Sequence, residues 1–102
     1  MNDASPATNH AKWIELIRVR SSASALEAAL PDLQTRVREL DDALDDAETF
    51  FLKHAIYDGD LAVGVVWRNE IEPGKTREGL MLAERLQQLG SVDHAVWIPA
   101  AD

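Results

Sequence analysis

The chain has 102 residues, 46% of them hydrophobic and 27% charged, with no cysteine and a formal net charge of -8. That is material for one domain, without a disulfide framework, a thiolate zinc site or a cysteine nucleophile. The acidic balance lacks the cationic field that draws nucleic acids and anionic membranes. No apolar run nears the roughly 20 residues of a bilayer span, and no basic start leads into an apolar leader, so the sequence predicts a cytoplasmic protein with neither partner.

Residues 1–11, MNDASPATNHA, are small, polar and aperiodic, and predict a flexible tail ahead of a single domain over residues 12–102. The run WIELIRVR, Trp13 to Arg20, is β-branched and ends at Ser21-Ser22, which reads as a first strand followed by a helix cap. Leu26, Leu30, Leu33, Val37, Leu40 and Leu44 then recur at helical spacing. Pro31 predicts a kink or restart in that helix. Six of the 18 acidic residues lie between Glu39 and Glu48. Acids oppose the macrodipole at a helix C-terminus, so this first helix is expected to end near Leu40, with Asp41 or Asp42 capping one further turn.

FFLKHAIY (50–57) and DLAVGVVWR (60–68) flank Asp58-Gly59, the signal of a two-residue hairpin turn. Thr76 is placed to cap a second helix whose apolar face is Leu82, Ala83, Leu86 and Leu89 and whose stop is Gly90. VDHAVWI (92–98) is a last strand closed by Pro99. The order β-α-β-β-α-β predicts an α+β, ferredoxin-like fold with a four-stranded antiparallel sheet in the order 4-1-3-2 and both helices on one face. The third strand is apolar at both parities, which predicts burial on both sides and therefore a homodimer formed through the sheet face opposite the helices.

With Tyr57 opposite Asp60, one face carries Phe50, Leu52, His54 and Ile56 against Trp67, Val65, Val63 and Leu61, and this face is assigned to the helices. His54 then lies on an apolar face, as a general base or as a hydrogen-bonded core histidine. Trp67, with Phe50, Val63 and Val65, would wall a planar ligand or simply fill the core. His94 is in phase with Val92 and Val96, on the sheet edge opposite His54. Two histidines without a third protein ligand predict no metal site. Pro73-Gly74-Lys75-Thr76 has the ending of a phosphate-binding loop, but Asn69 stands where its first glycine belongs, so nucleotide binding is not expected. The backbone amides that open the second helix remain suited to an ordinary anion. DDALDD, Asp41 to Asp46, has the spacing of aspartate-rich magnesium motifs of large helical synthases, and in a chain this short it reads as a solvated acidic stretch.

Together, IELIRVR, GDLAVGVVWRNE, GLMLAERLQQLG and VDHAVWIP resemble the dimeric α+β barrel superfamily that includes antibiotic biosynthesis monooxygenases. The resemblance covers most of residues 13 to 99. It implies a homodimer with a pocket between sheet and helices and, in some members, oxygenation of aromatic substrates without a cofactor, or haem degradation. Trp67 matches the third-strand tryptophan of the haem-degrading branch, but Ile17 stands where that branch has an asparagine and the second helix offers no histidine, which disfavours haem. The expectation is a small-molecule binding or cofactor-independent monooxygenase-like protein acting on a planar aromatic compound, with His54 as base or hydrogen-bond partner and Trp67 as a wall. The alternative is a non-catalytic homodimeric module of the same fold.

Overall fold

A computed structural model describes residues 12–100. The tail expected over residues 1–11 lies outside the described residues. The elements run β1 (Lys12–Arg20), α1 (Ala23–Ala43), β2 (Ala47–Lys53), β3 (Asp60–Arg68), α2 (Arg77–Gln87) and β4 (Ser91–Trp97). They form a four-stranded sheet ordered β2-β3-β1-β4, antiparallel at every pairing. This is the expected 4-1-3-2 order read from the other edge.

Alternation sends Trp13, Glu15, Ile17 and Val19 of β1 to one face, where all four are buried. Ile17 and Val19 join Leu61 and Val63 of β3, Leu26, Leu33 and Val37 of α1, and Leu82, Ala83 and Leu86 of α2 in one core. A second cluster, Trp13, Val65 and Trp67, lies toward the other end of the strands, packed by Leu40, Leu44, Ala47 and Val96. Both helices therefore cover the same face, as right-handed crossovers require.

The β2–β3 register differs from the expected one. Phe50 stands opposite Gly64, three positions from Trp67, and Lys53 opposite Leu61 closes the ladder. A two-residue Asp-Gly turn needs positive φ, and among the described residues none has it. Residues 54–59 instead form a loop, fastened where the Ser21 amide donates to the Gly59 carbonyl at 2.7 Å. Gly59 is required by that approach: a Cβ there would lie 2.1 Å from the Ser21 carbonyl oxygen. An odd shift exchanges faces, so Thr49 and Phe51 face the helices while Phe50 and Leu52 face away.

The first helix is also longer and simpler than expected, running unbroken through Pro31 to Ala43. Pro31 is exposed, so the Glu27 carbonyl that loses its donor faces water, and burial of Leu26, Leu33 and Val37 holds the helix together. Asp41 stays within the helix and accepts from the Thr49 amide at 2.8 Å and its hydroxyl at 3.1 Å, which anchors the start of β2. Part of the acidic stretch thus serves the fold.

On the side away from the helices, the sheet presents Phe50, Leu52, Ile14, Leu16, Ala62, Val66, Ala95 and Trp97 around Gly64. No element among the described residues covers them. Leu52 and Trp97 are 49% and 59% exposed.

Candidate functional site

Glu15 falls in the buried phase of β1, between Trp13 and Ile17, and is fully buried. It stands opposite Val65 on β3 and Val96 on β4, so Trp67 and His94 are its diagonal neighbours on the same face. Glu15 Oε1 accepts from Trp67 Nε1 at 2.9 Å and from Thr76 Oγ1 at 2.5 Å. Its Oε2 accepts from the Thr76 amide at 3.0 Å and faces His94 Nε2 at 2.7 Å. An unpaired buried carboxylate would cost many kcal/mol, and hydrogen bonds to a charged group, at about 1.5–3 kcal/mol each, offset that cost.

The second helix is built to meet this carboxylate. Thr76 has the extended backbone of an N-cap, and its hydroxyl accepts from the Gly79 amide at 3.0 Å while donating to Glu15. The anion expected at this helix N-terminus is thus supplied by the chain itself. Gly79 leaves the space: a Cβ there would sit 2.1 Å from Glu15 Oε2.

The indole and the amide can only donate, so Glu15 accepts from both, and a neutral His94 ring that serves as a further donor carries its proton on Nε2. The other ring nitrogen, Nδ1, then carries the lone pair. The His94 side chain is 6% exposed, and among the described residues no hydrogen bond reaches Nδ1. A buried acceptor left so costs about 1–3 kcal/mol and asks for an explanation.

Trp13 stacks on Trp67 with ring centroids 5.7 Å apart and planes 24° from parallel. Trp13 Nε1 donates to Asn69 Oδ1 at 3.2 Å, and Asn69 Nδ2 donates to Asp46 Oδ2 at 2.7 Å. The tryptophan pair is therefore fixed at both indole nitrogens. A stacked aromatic pair, a buried carboxylate and an imidazole thus share one apolar layer between sheet and helices.

Of the residues singled out from the sequence, Trp67, Val63 and Val65 lie on the helix-covered face and are buried. Phe50 lies on the opposite face, against Gly64, where an added Cβ would meet its Cζ at 2.0 Å. The expected placement of His54 on the apolar face does not hold either: it is exposed, past the end of β2. Its Nδ1 accepts from the amides of Ile56 at 3.0 Å and Tyr57 at 3.1 Å, so it folds the loop over itself. The three-position register shift accounts for both corrections. Glu15 was not singled out, although a carboxylate in phase with Trp13, Ile17 and Val19 is a visible signal. Among the described residues, no three His, Cys, Asp or Glu side chains gather as metal ligands, and no helix is long and apolar enough to cross a membrane.

No protein-family model matches the chain, and no curated protein sequence does. Solved structures do. The Mycobacterium tuberculosis protein Rv0793 is 18% identical with a TM-score of 0.64, over 89% of this chain and 97% of its own. A candidate antibiotic biosynthesis monooxygenase from Nitrosomonas europaea is 6% identical with a TM-score of 0.65, over 89% and 92%. A variant of SnoaB, a cofactor-independent oxygenase from Streptomyces nogalater, is 12% identical with a TM-score of 0.56, over 90% and 96%. At such identities the likeness is one of fold, and the chain has the βαββαβ α+β fold of antibiotic biosynthesis monooxygenase-like proteins.

Proposed function

We propose that this chain is a homodimeric, cofactor-independent monooxygenase-like protein that takes a planar aromatic compound between its sheet and its helices. The observation that carries the reading is Trp67, stacked on Trp13 and hydrogen-bonded to buried Glu15, which puts an aromatic wall beside a carboxylate–imidazole pair. Two of the fold relatives are described as a cofactor-independent oxygenase and a candidate monooxygenase, which supports the reaction class.

In such a reaction the substrate supplies the electrons. Loss of a proton from an activated ring CH2 gives an electron-rich carbanion. The carbanion reduces oxygen and forms a C–O bond as a hydroperoxide. Loss of water then leaves a ketone, so CH2 and O2 become C=O and H2O. The protein's part is to hold the ring flat, accept the proton and exclude bulk water.

The dimer is part of the reading, because the apolar patch around Gly64, on the side of the sheet away from the helices, has no cover among the described residues. Oxygen uptake with a panel of hydroxyanthrones and quinols tests the activity. One O2 consumed per hydroxyanthrone, with the ketone as product, is the expected result. A second reading, a non-catalytic homodimeric module, is favoured by one observation: all four hydrogen bonds of Glu15 are made to the protein itself, joining β1, β3, β4 and the N-cap of α2. A folded dimer that neither consumes oxygen nor binds any member of the panel establishes that alternative.

A further inference from the structure

We infer that His94 is the proton acceptor of this site, through Nδ1, and that Glu15 is the positioning residue that fixes its tautomer. The inference deepens the oxygenase reading and rests on it for the kind of molecule that gives up the proton. Neutral imidazole has one donor nitrogen and one acceptor nitrogen. Glu15 cannot follow the ring if it turns, because Trp67 and both polar groups of Thr76 hold the carboxylate. Nε2 is therefore committed as donor at 2.7 Å, and the lone pair is committed to Nδ1.

Position singles out this nitrogen. The His94 side chain is 94% buried, yet no hydrogen bond from the described residues reaches Nδ1. His54 shows the contrast, since its Nδ1 already accepts from two backbone amides. The ring nitrogens diverge, so with Nε2 turned toward β1, Nδ1 is turned away from it, and among the described residues β4 is an edge strand with no strand beyond.

Charge selects the ligand class. When Nδ1 takes a proton, the resulting imidazolium already has the Glu15 carboxylate beside it, so positive charge forms against an existing counter-charge. A neutral weak acid leaves its anion next to a site that has become net neutral. A ligand that arrives as a carboxylate or phosphate meets Glu15 with the same sign. The charge arrangement thus points to a neutral weak acid as the proton donor.

The test separates proton removal from oxygen chemistry. Under anaerobic conditions in D2O, 1,8-dihydroxyanthrone exchanges its ring CH2 protons, and the wild-type protein is expected to accelerate that exchange above buffer. His94→Gln should lower the enzymatic rate by about 100-fold or more, in the range of general-base effects. Glu15→Gln should lower it through the wrong tautomer, and Glu84→Gln, exposed on α2, should leave it unchanged. Because Glu15→Gln puts folding at risk, 15N NMR of the wild-type imidazole gives a second readout, with the proton expected on Nε2 and Nδ1 bare. No wild-type exchange, wild-type exchange in folded His94→Gln, or a proton on Nδ1 overturns the inference. Oxygen uptake without His94-dependent exchange removes the base and leaves the oxygenase reading standing. Exchange without oxygen uptake does the reverse.

Discussion

Glu15 and His94 lie 79 positions apart in the chain and their side chains, both almost wholly buried, meet at 2.7 Å. The contact exists because the sheet order sets β1 beside β4 and because both residues fall in the phase that faces the helices. Packing alone would be served by Val at either position. A carboxylate and an imidazole there make the layer between sheet and helices polar at one point, and chemistry is proposed at that point.

Replacing Glu15 by Gln should destabilise the protein even though size is kept. The amide oxygen can still accept from Trp67 and the Thr76 hydroxyl, but the NH2 group then confronts the Thr76 amide, donor against donor. Losing charge-assisted bonds to a buried carboxylate and leaving a buried donor unpaired costs about 2–4 kcal/mol. Thermal unfolding should show Tm lower by roughly 10 °C or more for a domain of this size. An unchanged Tm would mean that Glu15 is not held as described.

Gly79→Ala should act on the same site from the helix side. The new methyl would lie 2.1 Å from Glu15 Oε2 and 2.7 Å from its Cδ, and four hydrogen bonds prevent that carboxylate from stepping aside. Overpacking of this kind costs about 1–3 kcal/mol, and Ala's better helix propensity returns less than about 1 kcal/mol. Gly74→Ala has nothing within 4 Å of its new Cβ and serves as the control in the same denaturant titration.

Periodicity and turn residues were enough to read the strand and helix order, because each element repeats at its own period over seven residues or more. The β2 register was misread because Asp58-Gly59 looks like a hairpin turn, whereas Gly59 is there to admit the Ser21 carbonyl. That is a tertiary requirement with no local signature. The site was legible in part: Thr76 was read as a cap, and Trp67 was assigned to the helix-covered face where it lies. The bonds from Thr76 to Glu15 span 61 positions and depend on how α2 docks, which no local pattern records. His54 drew attention by sitting in an apolar run, while Glu15, in an equally apolar run, holds the buried contacts.

Pro31→Ala should stabilise the protein. The helix runs through residue 31 without a break, the side chain is exposed, and the position carries none of the buried contacts of Leu26, Leu33 and Val37. Alanine restores the amide that can bond the Glu27 carbonyl. The intrinsic difference between Pro and Ala in a helix interior is about 3 kcal/mol, reduced by proline's restriction of the unfolded chain, so a gain of about 1–2 kcal/mol is expected. A loss of stability in urea titration would show that the proline sets a bend on which the packing depends.

Val66→Asp should separate the subunits. Val66 stands on the side of the sheet away from the helices, opposite Ile14 on one neighbour and Glu48 on the other. Its diagonal neighbours on that face are Phe50 and Leu16, with the Phe50 ring closing over Gly64. Burying apolar surface contributes roughly 25 cal/mol per Å², so leaving this face wet is costly for a domain of marginal stability. A carboxylate placed there must either remain hydrated, which keeps two sheets apart, or be buried unpaired, which costs more than the interface returns. Sedimentation at micromolar concentration should give a dimer for the wild type and a monomer or unfolded chain for the variant. Gly64→Ala provides the gentler probe: its methyl would displace the Phe50 ring, the flexible end of a side chain, so the monomer should still fold while the dimer weakens. A wild type that sediments as a stable monomer would remove the homodimer from the proposed function.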